Sequence, residues 1–100
     1  MTPIYTIYLG SKGAANWSAS DVVAVLEHTK KWFKFATIIE AHGIYKEELV
    51  PTLLIKVGAT DVVKVIDLAG NLGKLFEQET VGLEHDSQLK IVRVSDTVTL

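Results

Sequence analysis

Strand-like and helix-like patterns alternate along this chain in an order that few folds accommodate. Residues 4–9, "IYTIYL", are β-branched or aromatic and run into a glycine-rich stretch, which is typical of a strand that ends there. Ser18 then stands three residues before Asp21 in a capping-box pattern, and apolar residues recur at helical spacing after it. These patterns predict a first strand followed by a helix over about residues 20–32.

The second half of the chain repeats strand and helix patterns. Residues 35–44 read as a second strand and residues 52–57 as a third, which we expect to begin after Pro51 because proline has no ladder N–H. Thr60 or Asp61 caps a predicted helix that extends to about residue 78. Strand-like runs follow at 80–84 and 89–94, divided by the turn residues "HDSQ".

The order β-α-β-β-α-β predicts a ferredoxin-like α+β sandwich, a two-layer fold with both helices on one face of an antiparallel sheet. Strands 1 and 3 are expected at its centre. A possible fifth C-terminal strand extends the sheet, and a different α+β sandwich, with the last hairpin paired elsewhere, is the alternative. No repeat or linker divides the chain, so we predict a single domain over residues 1–100, of which 80–100 form strand 4 and a C-terminal strand or tail.

Composition limits the kinds of partner and compartment. Ten basic and twelve acidic residues give a net charge of -2, which disfavours nucleic-acid binding. There are no cysteines, hence no disulfides or thiolate sites, and this favours a cytoplasmic protein. No apolar run approaches the roughly 20 residues of a membrane helix, so we expect a soluble chain with no membrane partner. The hydrophobic content of 48% suggests that another chain covers some apolar surface.

Strand alternation sorts the side chains onto two sheet faces. The more apolar set is expected under the helices: Tyr5, Ile7, Leu9, Leu53, Ile55 and Val57. The face without helices, the open face, is then expected to carry Thr6, Tyr8, Thr52, Leu54 and Lys56, together with Ile38, Glu40 and His42 of strand 2. A mixed apolar and polar face of this kind predicts a partner surface, including a homodimer.

Glu40 and His42 are the strongest candidates for acid-base chemistry. They lie at i and i+2 on one strand, where a carboxylate can orient an imidazole. The competing interpretation, a solvated strand end beside a hairpin, is favoured because no third group is fixed by the sequence. The three histidines and the nearby acids match no metal-ligand spacing. We therefore predict no catalytic residue, no metal and no cofactor.

"IYLGSK", residues 7–12, is similar to the first-strand signature of RNA-recognition motif domains. The resemblance implies that Tyr8 would stack on a base. However, Thr52 and Leu54 stand where that family places aromatic residues on strand 3, and the net charge is negative. Binding to RNA is therefore the least favoured of the functions considered.

The leading prediction is a small non-enzymatic protein-interaction module, a regulator or inhibitor of virus or mobile-element origin. It would bind a protein partner, or itself, through the open face, an edge strand or the strand 2–3 hairpin. The alternative is a dimeric small-molecule-binding protein or cofactor-free enzyme with a pocket on the open face. The predicted partner-binding residues are Tyr8, Ile38, Glu40, His42, Ile44, Tyr45, Leu54 and Lys56.

Overall fold

The chain forms a five-stranded antiparallel sheet with two helices, in a computed structural model that describes residues 2–12 and 15–97. The elements are β1 (Ile4–Gly10), α1 (Ala19–Lys30), β2 (Ala36–Tyr45), β3 (Glu48–Gly58), α2 (Val62–Leu75), β4 (Thr80–His85) and β5 (Gln88–Arg93), followed by a 3-10 turn (Val94–Asp96). The strand order is β2-β3-β1-β4-β5, with β1 at the centre. The α+β fold is confirmed, and the arrangement is compatible with a ferredoxin-like sandwich.

Both helices begin at side-chain caps that the sequence indicates. The Ser18 hydroxyl accepts a hydrogen bond from the Asp21 backbone N–H at 3.1 Å, and the Asp21 carboxylate accepts one from the Ser18 N–H at 3.2 Å. The Asp61 carboxylate accepts a hydrogen bond from the Val63 N–H at 2.9 Å. These contacts satisfy N–H groups that the first helical turn leaves unpaired.

The core lies between the helices and one face of the sheet. Alternate residues of the central strands are at most 9% exposed: Tyr5, Ile7 and Leu9 of β1, and Leu53, Ile55 and Val57 of β3. Val25 of α1 and Leu68 and Leu72 of α2 are fully buried against them. The predicted inward set is therefore confirmed, because period-2 burial on the strands meets period-3.6 burial on the helices.

Pro51 lies inside β3 and not before it, so the expected start of this strand at Thr52 is wrong. Pro51 is directly opposite His42 in the β2–β3 pair. Its carbonyl accepts hydrogen bonds from the Ser11 N–H at 2.9 Å and from the Trp17 indole N–H at 3.1 Å. The backbone of Pro51 therefore points away from β2, where the missing proline N–H breaks no bond to that strand.

Two tight hairpins join the neighbouring strands. Both turn residues of the β2–β3 hairpin, Lys46 and Glu47, have positive φ, and so do Asp86 and Ser87 of the β4–β5 hairpin. Two central residues of positive φ are characteristic of the I′ turn, whose twist matches that of the flanking strands. The predicted "HDSQ" turn and the fifth strand are confirmed.

The segment after β5 folds back onto α2. Val94 and Thr97 are at most 9% exposed, and they face Gly73 and Gly70, where an added Cβ would lie 2.4 Å from Val94 and 2.0 Å from Thr97. The predicted C-terminal strand or tail extends to residue 100, and residues 98–100 lie outside the described residues. Within the described residues, no helix has the length and apolar character required to cross a membrane.

Candidate functional site

Three polar residues form a row across the middle of the open face. Thr6 of β1 is paired with Lys56 of β3 on one side and with Glu84 of β4 on the other. The Lys56 ammonium donates a hydrogen bond to the Thr6 hydroxyl at 3.1 Å. Thr6 is only 4% exposed although no helix covers this face, because its neighbours cover it. We call Lys56, Thr6 and Glu84 the central row.

Tyr8 extends the central row toward the other end of β1. Its phenolic hydroxyl donates a hydrogen bond to a Glu84 carboxylate oxygen. That hydrogen bond, partial burial and the negative charge of Glu84 all raise the pKa of Tyr8 above the ordinary 10.0, in that order of importance. The phenol is therefore neutral at pH 7. The site presents the Lys56 ammonium, the Glu84 carboxylate and the Tyr8 hydroxyl on three neighbouring strands.

Close approach of the backbone makes room for the Tyr8 ring. Gly82 of β4 is paired with Tyr8, and a Cβ on Gly82 would lie 3.3 Å from Tyr8 Cβ and 3.4 Å from a Leu89 methyl group. A side chain larger than hydrogen would compete with the tyrosine and with Leu89 for the same space. The absence of a side chain at Gly82 thus leaves space on the open face for the side chains of Tyr8 and Leu89.

Apolar side chains flank the central row on its Tyr8 side and at its β5 end. Leu54 of β3 is paired with both Tyr8 and Ile39, and Gly82 of β4 is paired with Ile91 of β5. Leu89 of β5 is paired with Glu84 at the end of the row. Ile39 is 39% exposed, Ile91 61% and Leu89 63%, so the open face offers apolar surface beside its charged groups.

The structure brings together three of the predicted site residues and adds one that the sequence did not indicate. Tyr8, Leu54 and Lys56 lie on the open face, as expected. Glu84 is not among the predicted site residues, yet it is the hydrogen-bond acceptor of Tyr8. The available signal was the alternation of β4, which places Glu84 on the face opposite to the buried Leu83.

The assignment of Ile38, Glu40 and His42 to the open face is wrong. They are paired with Ile55, Leu53 and Pro51, so they lie on the helix side of the sheet. Ile38 packs against the core, whereas Glu40 and His42 are exposed because the helices cover little of β2 beyond Ile38. These residues are consequently on the opposite side of the sheet from Tyr8 and Lys56.

Ile44 and Tyr45 lie at the end of β2, beside the turn. Ile44 is 77% exposed and Tyr45 63%, and Leu49 on the facing strand is 72% exposed. The Lys46 ammonium lies 5.4 Å from the centre of the Tyr45 ring. The hairpin therefore projects apolar side chains into solvent, on both sides of the sheet.

A cavity of about 260 Å³ lies apart from the central row, on the helix side between β4, β5 and the start of α2. Tyr5 and His85 line it, with their rings stacked at 4.3 Å between centroids. The described part of the chain contains no group of three or more histidine and acidic side chains arranged to hold a metal ion.

Comparisons with known proteins give one structural similarity. No protein-family model and no curated protein matches the chain. The fold is similar to that of a solved structure described as a phage SAM lyase in its apo state, with a TM-score of 0.63 and 17% sequence identity. The alignment covers 90% of this chain and 87% of that chain. At this identity the similarity shows a shared fold, over nearly the whole length of both proteins.

Proposed function

We propose that the chain binds a small, positively charged ligand on the open face, and that S-adenosylmethionine is the ligand to test first. The protein would act as a small-molecule-binding protein or cofactor-free enzyme of virus or mobile-element origin. The central row, with Tyr8 beside it, is the observation that carries the proposal, because it sets opposite charges and an aromatic ring next to exposed apolar side chains.

The charges of the central row complement those of S-adenosylmethionine. Its sulfonium is attracted by a carboxylate such as Glu84 and by the face of an aromatic ring such as Tyr8. Its carboxylate suits the Lys56 ammonium, which is two strands away from Glu84 in the same row. Its adenine is a flat apolar group of the kind that stacks on aromatic and branched side chains, which Tyr8, Leu54 and Ile39 supply.

The structural neighbour supports this choice of first ligand. That neighbour is described as a SAM lyase from a phage. A shared fold by itself does not transfer an activity, because one fold hosts many functions. The proposal for this chain therefore depends on the central row and is tested there.

Calorimetric titration with S-adenosylmethionine tests the proposal, together with chromatographic measurement of the S-adenosylmethionine that remains after incubation. We expect saturable binding that Glu84→Gln, which keeps the shape and removes the charge, weakens by about tenfold or more. S-adenosylhomocysteine, which lacks the sulfonium charge, should bind more weakly than S-adenosylmethionine.

Glu77→Gln is the matched control, because Glu77 is an exposed glutamate paired with Lys12 far from the open face. It should bind like the wild-type chain. Absence of binding at millimolar S-adenosylmethionine, or equal affinity in the Glu84 and Glu77 variants, would contradict the proposal. Loss of S-adenosylmethionine faster than in a protein-free incubation would identify the chain as an enzyme, and a stable complex would identify it as a binding protein.

The second candidate is the protein-interaction module, a cytoplasmic regulator or inhibitor that contacts a protein partner. The exposed apolar side chains at the β2–β3 hairpin favour it, chiefly Ile44, Tyr45 and Leu49. Small interfaces depend on a few such anchors. If this function holds, Leu49→Asp, a change on β3 outside the free edge of β2, should abolish the biological effect of the chain and Glu84→Gln should leave it unchanged, whereas the reverse pattern would favour the small-molecule function.

A further inference from the structure

One edge of the sheet is a long strand with half of its backbone groups directed outward. β2 is the first strand in the sheet order and has 10 residues. The Pro51 carbonyl accepts a hydrogen bond from the Ser11 N–H, on the side of β3 that faces away from β2. His42, opposite Pro51, is therefore in a pair without mutual backbone hydrogen bonds, and its own N–H and C=O point to the free edge. The backbone groups of successive residues point to opposite edges of a strand. The N–H and C=O groups of Ile38, Glu40 and Ile44 therefore also point to the free edge.

β2 carries little of what usually protects an edge strand. Natural edges carry charged side chains, especially lysine, or a proline or bulge that prevents another strand from pairing. Along "ATIIEAHGIY" the described strand has one charged residue, Glu40, and no lysine, proline or bulge, and its pairing with β3 is continuous from Ala36 to Tyr45. β5, at the other edge of the sheet, carries Lys90 and Arg93. The structure thus leaves one edge open to strand addition and charges the other.

The sequence of β2 is complementary to itself in one antiparallel register. With Ala41 opposite Ala41 of a second copy, Glu40 faces His42 of that copy, and His42 faces its Glu40. Ile38 of each copy then faces Ile44 of the other copy. The outward backbone groups at Ile38, Glu40, His42 and Ile44 meet one another in this register, so each of these pairs forms two backbone hydrogen bonds.

Neighbouring registers are less favourable. A shift that keeps the backbone hydrogen bonds and places Glu40 on the two-fold axis sets two carboxylates directly opposite each other, which is destabilising. The opposite shift places His42 on the axis and leaves Glu40 facing Ile44. The register centred on Ala41 also covers Ile44, which is 77% exposed in the single chain, with Ile38 of the second copy.

We propose that the free edge of β2 binds a second copy of this chain, in an antiparallel β2–β2 pair whose two-fold axis passes through Ala41. The two five-stranded sheets become one continuous sheet. The contact uses none of the residues of the central row, so it goes beyond the ligand-binding proposal and stands or fails separately from it.

Cysteine cross-linking tests the register directly, because the natural chain has no cysteine. Residues opposite each other without mutual hydrogen bonds have Cα atoms about 4.5 Å apart, within the range of a disulfide. Ala41→Cys should therefore form a disulfide-linked dimer on mild oxidation. Thr37→Cys is the matched control on the same strand and face, where the two thiols would be about 27 Å apart in this register at 3.4 Å per residue. Efficient cross-linking of Thr37→Cys, or none of Ala41→Cys, would overturn the proposal.

Sedimentation equilibrium tests the association without a cross-link. We expect a dimer that Glu40→Lys weakens by about tenfold, since two Glu–His pairs become two Lys–His pairs. The exchange Glu40→His with His42→Glu should restore the dimer, because symmetry keeps every pair complementary. Glu79→Lys, the same charge change on an exposed residue outside β2, should leave it intact. A monomeric or trimeric wild-type chain, or an exchange variant as weak as Glu40→Lys, would rule the pairing out.

Discussion

The Tyr8 hydroxyl donates a hydrogen bond to the Glu84 carboxylate, joining residues 76 positions apart in the chain. The antiparallel pairing of β1 with β4 brings the two strands side by side. The open face thereby gains a partly buried phenol hydrogen-bonded to a carboxylate. The pKa of Tyr8 reports on this hydrogen bond and can be measured without a ligand.

Tyr8 should titrate above pH 10.0, the ordinary value for tyrosine, because its hydrogen bond to Glu84, burial and the nearby negative charge raise its pKa. A raised pKa means that folding stabilises the protonated phenol. That stabilisation is complete below the pKa of the unfolded chain and is lost as the pH rises through the higher pKa of the folded chain. Ultraviolet titration of the wild type against Tyr8→Phe isolates this group, and a Tyr8 that ionises at or below pH 10 would refute the prediction.

Gly73→Ala should destabilise the protein although alanine favours helices. A Cβ at Gly73 would lie 2.4 Å from one methyl group of Val94 and 3.0 Å from a methyl group of Val81. Displacing these groups should cost about 1–3 kcal/mol, more than the gain of about 1 kcal/mol in helix propensity. Urea unfolding gives the free energy of unfolding.

Val63→Ala is the control for that experiment, because Val63 lies on the same helix and is 58% exposed. Its effect should stay within about 0.5 kcal/mol. Val94→Ala combined with Gly73→Ala should cost less than the sum of the two single changes, since the shorter side chain removes the clash. Additive costs would show that Val94 does not constrain the glycine.

Trp17→Phe should lower the free energy of unfolding by about 0.5–1.5 kcal/mol, the usual net contribution of one hydrogen bond. Phenylalanine keeps an aromatic ring near Phe76, whose centroid lies 5.0 Å from that of Trp17, and loses the N–H that bonds to the Pro51 carbonyl. Trp17→Ala should cost more because it also removes the ring contact. Equal stability of the phenylalanine variant and the wild type, measured by urea unfolding, would show that the indole hydrogen bond contributes nothing.

The sequence was sufficient for the elements and the core, and insufficient for the faces of β2. Caps at Ser18 and Asp61 and regular apolar spacing identify the helices locally. On β2, however, Ile38 and Ile39 are consecutive apolar residues, so alternation alone does not choose which faces the helices. The choice is made by the register with β3, where Ile38 meets the buried Ile55.

Glu84 was missed for a related reason. Its role depends on Tyr8, which is distant in the chain, and a contact between separate strands is fixed by pairing and not by local pattern. The expected start of β3 after Pro51 is wrong because the missing proline N–H faces the side of β1, where the β1–β3 pairing has already ended at Gly10 and Thr52 and only the Pro51 carbonyl accepts a hydrogen bond.

Nuclear magnetic resonance titration with S-adenosylmethionine is the most direct test of ligand binding at the central row, because it locates a ligand as well as detecting one. We expect the largest backbone amide shift changes at Thr6, Tyr8, Lys56 and Glu84. Absence of shift changes at saturating ligand, or changes confined to the cavity beside Tyr5 and His85, would contradict it.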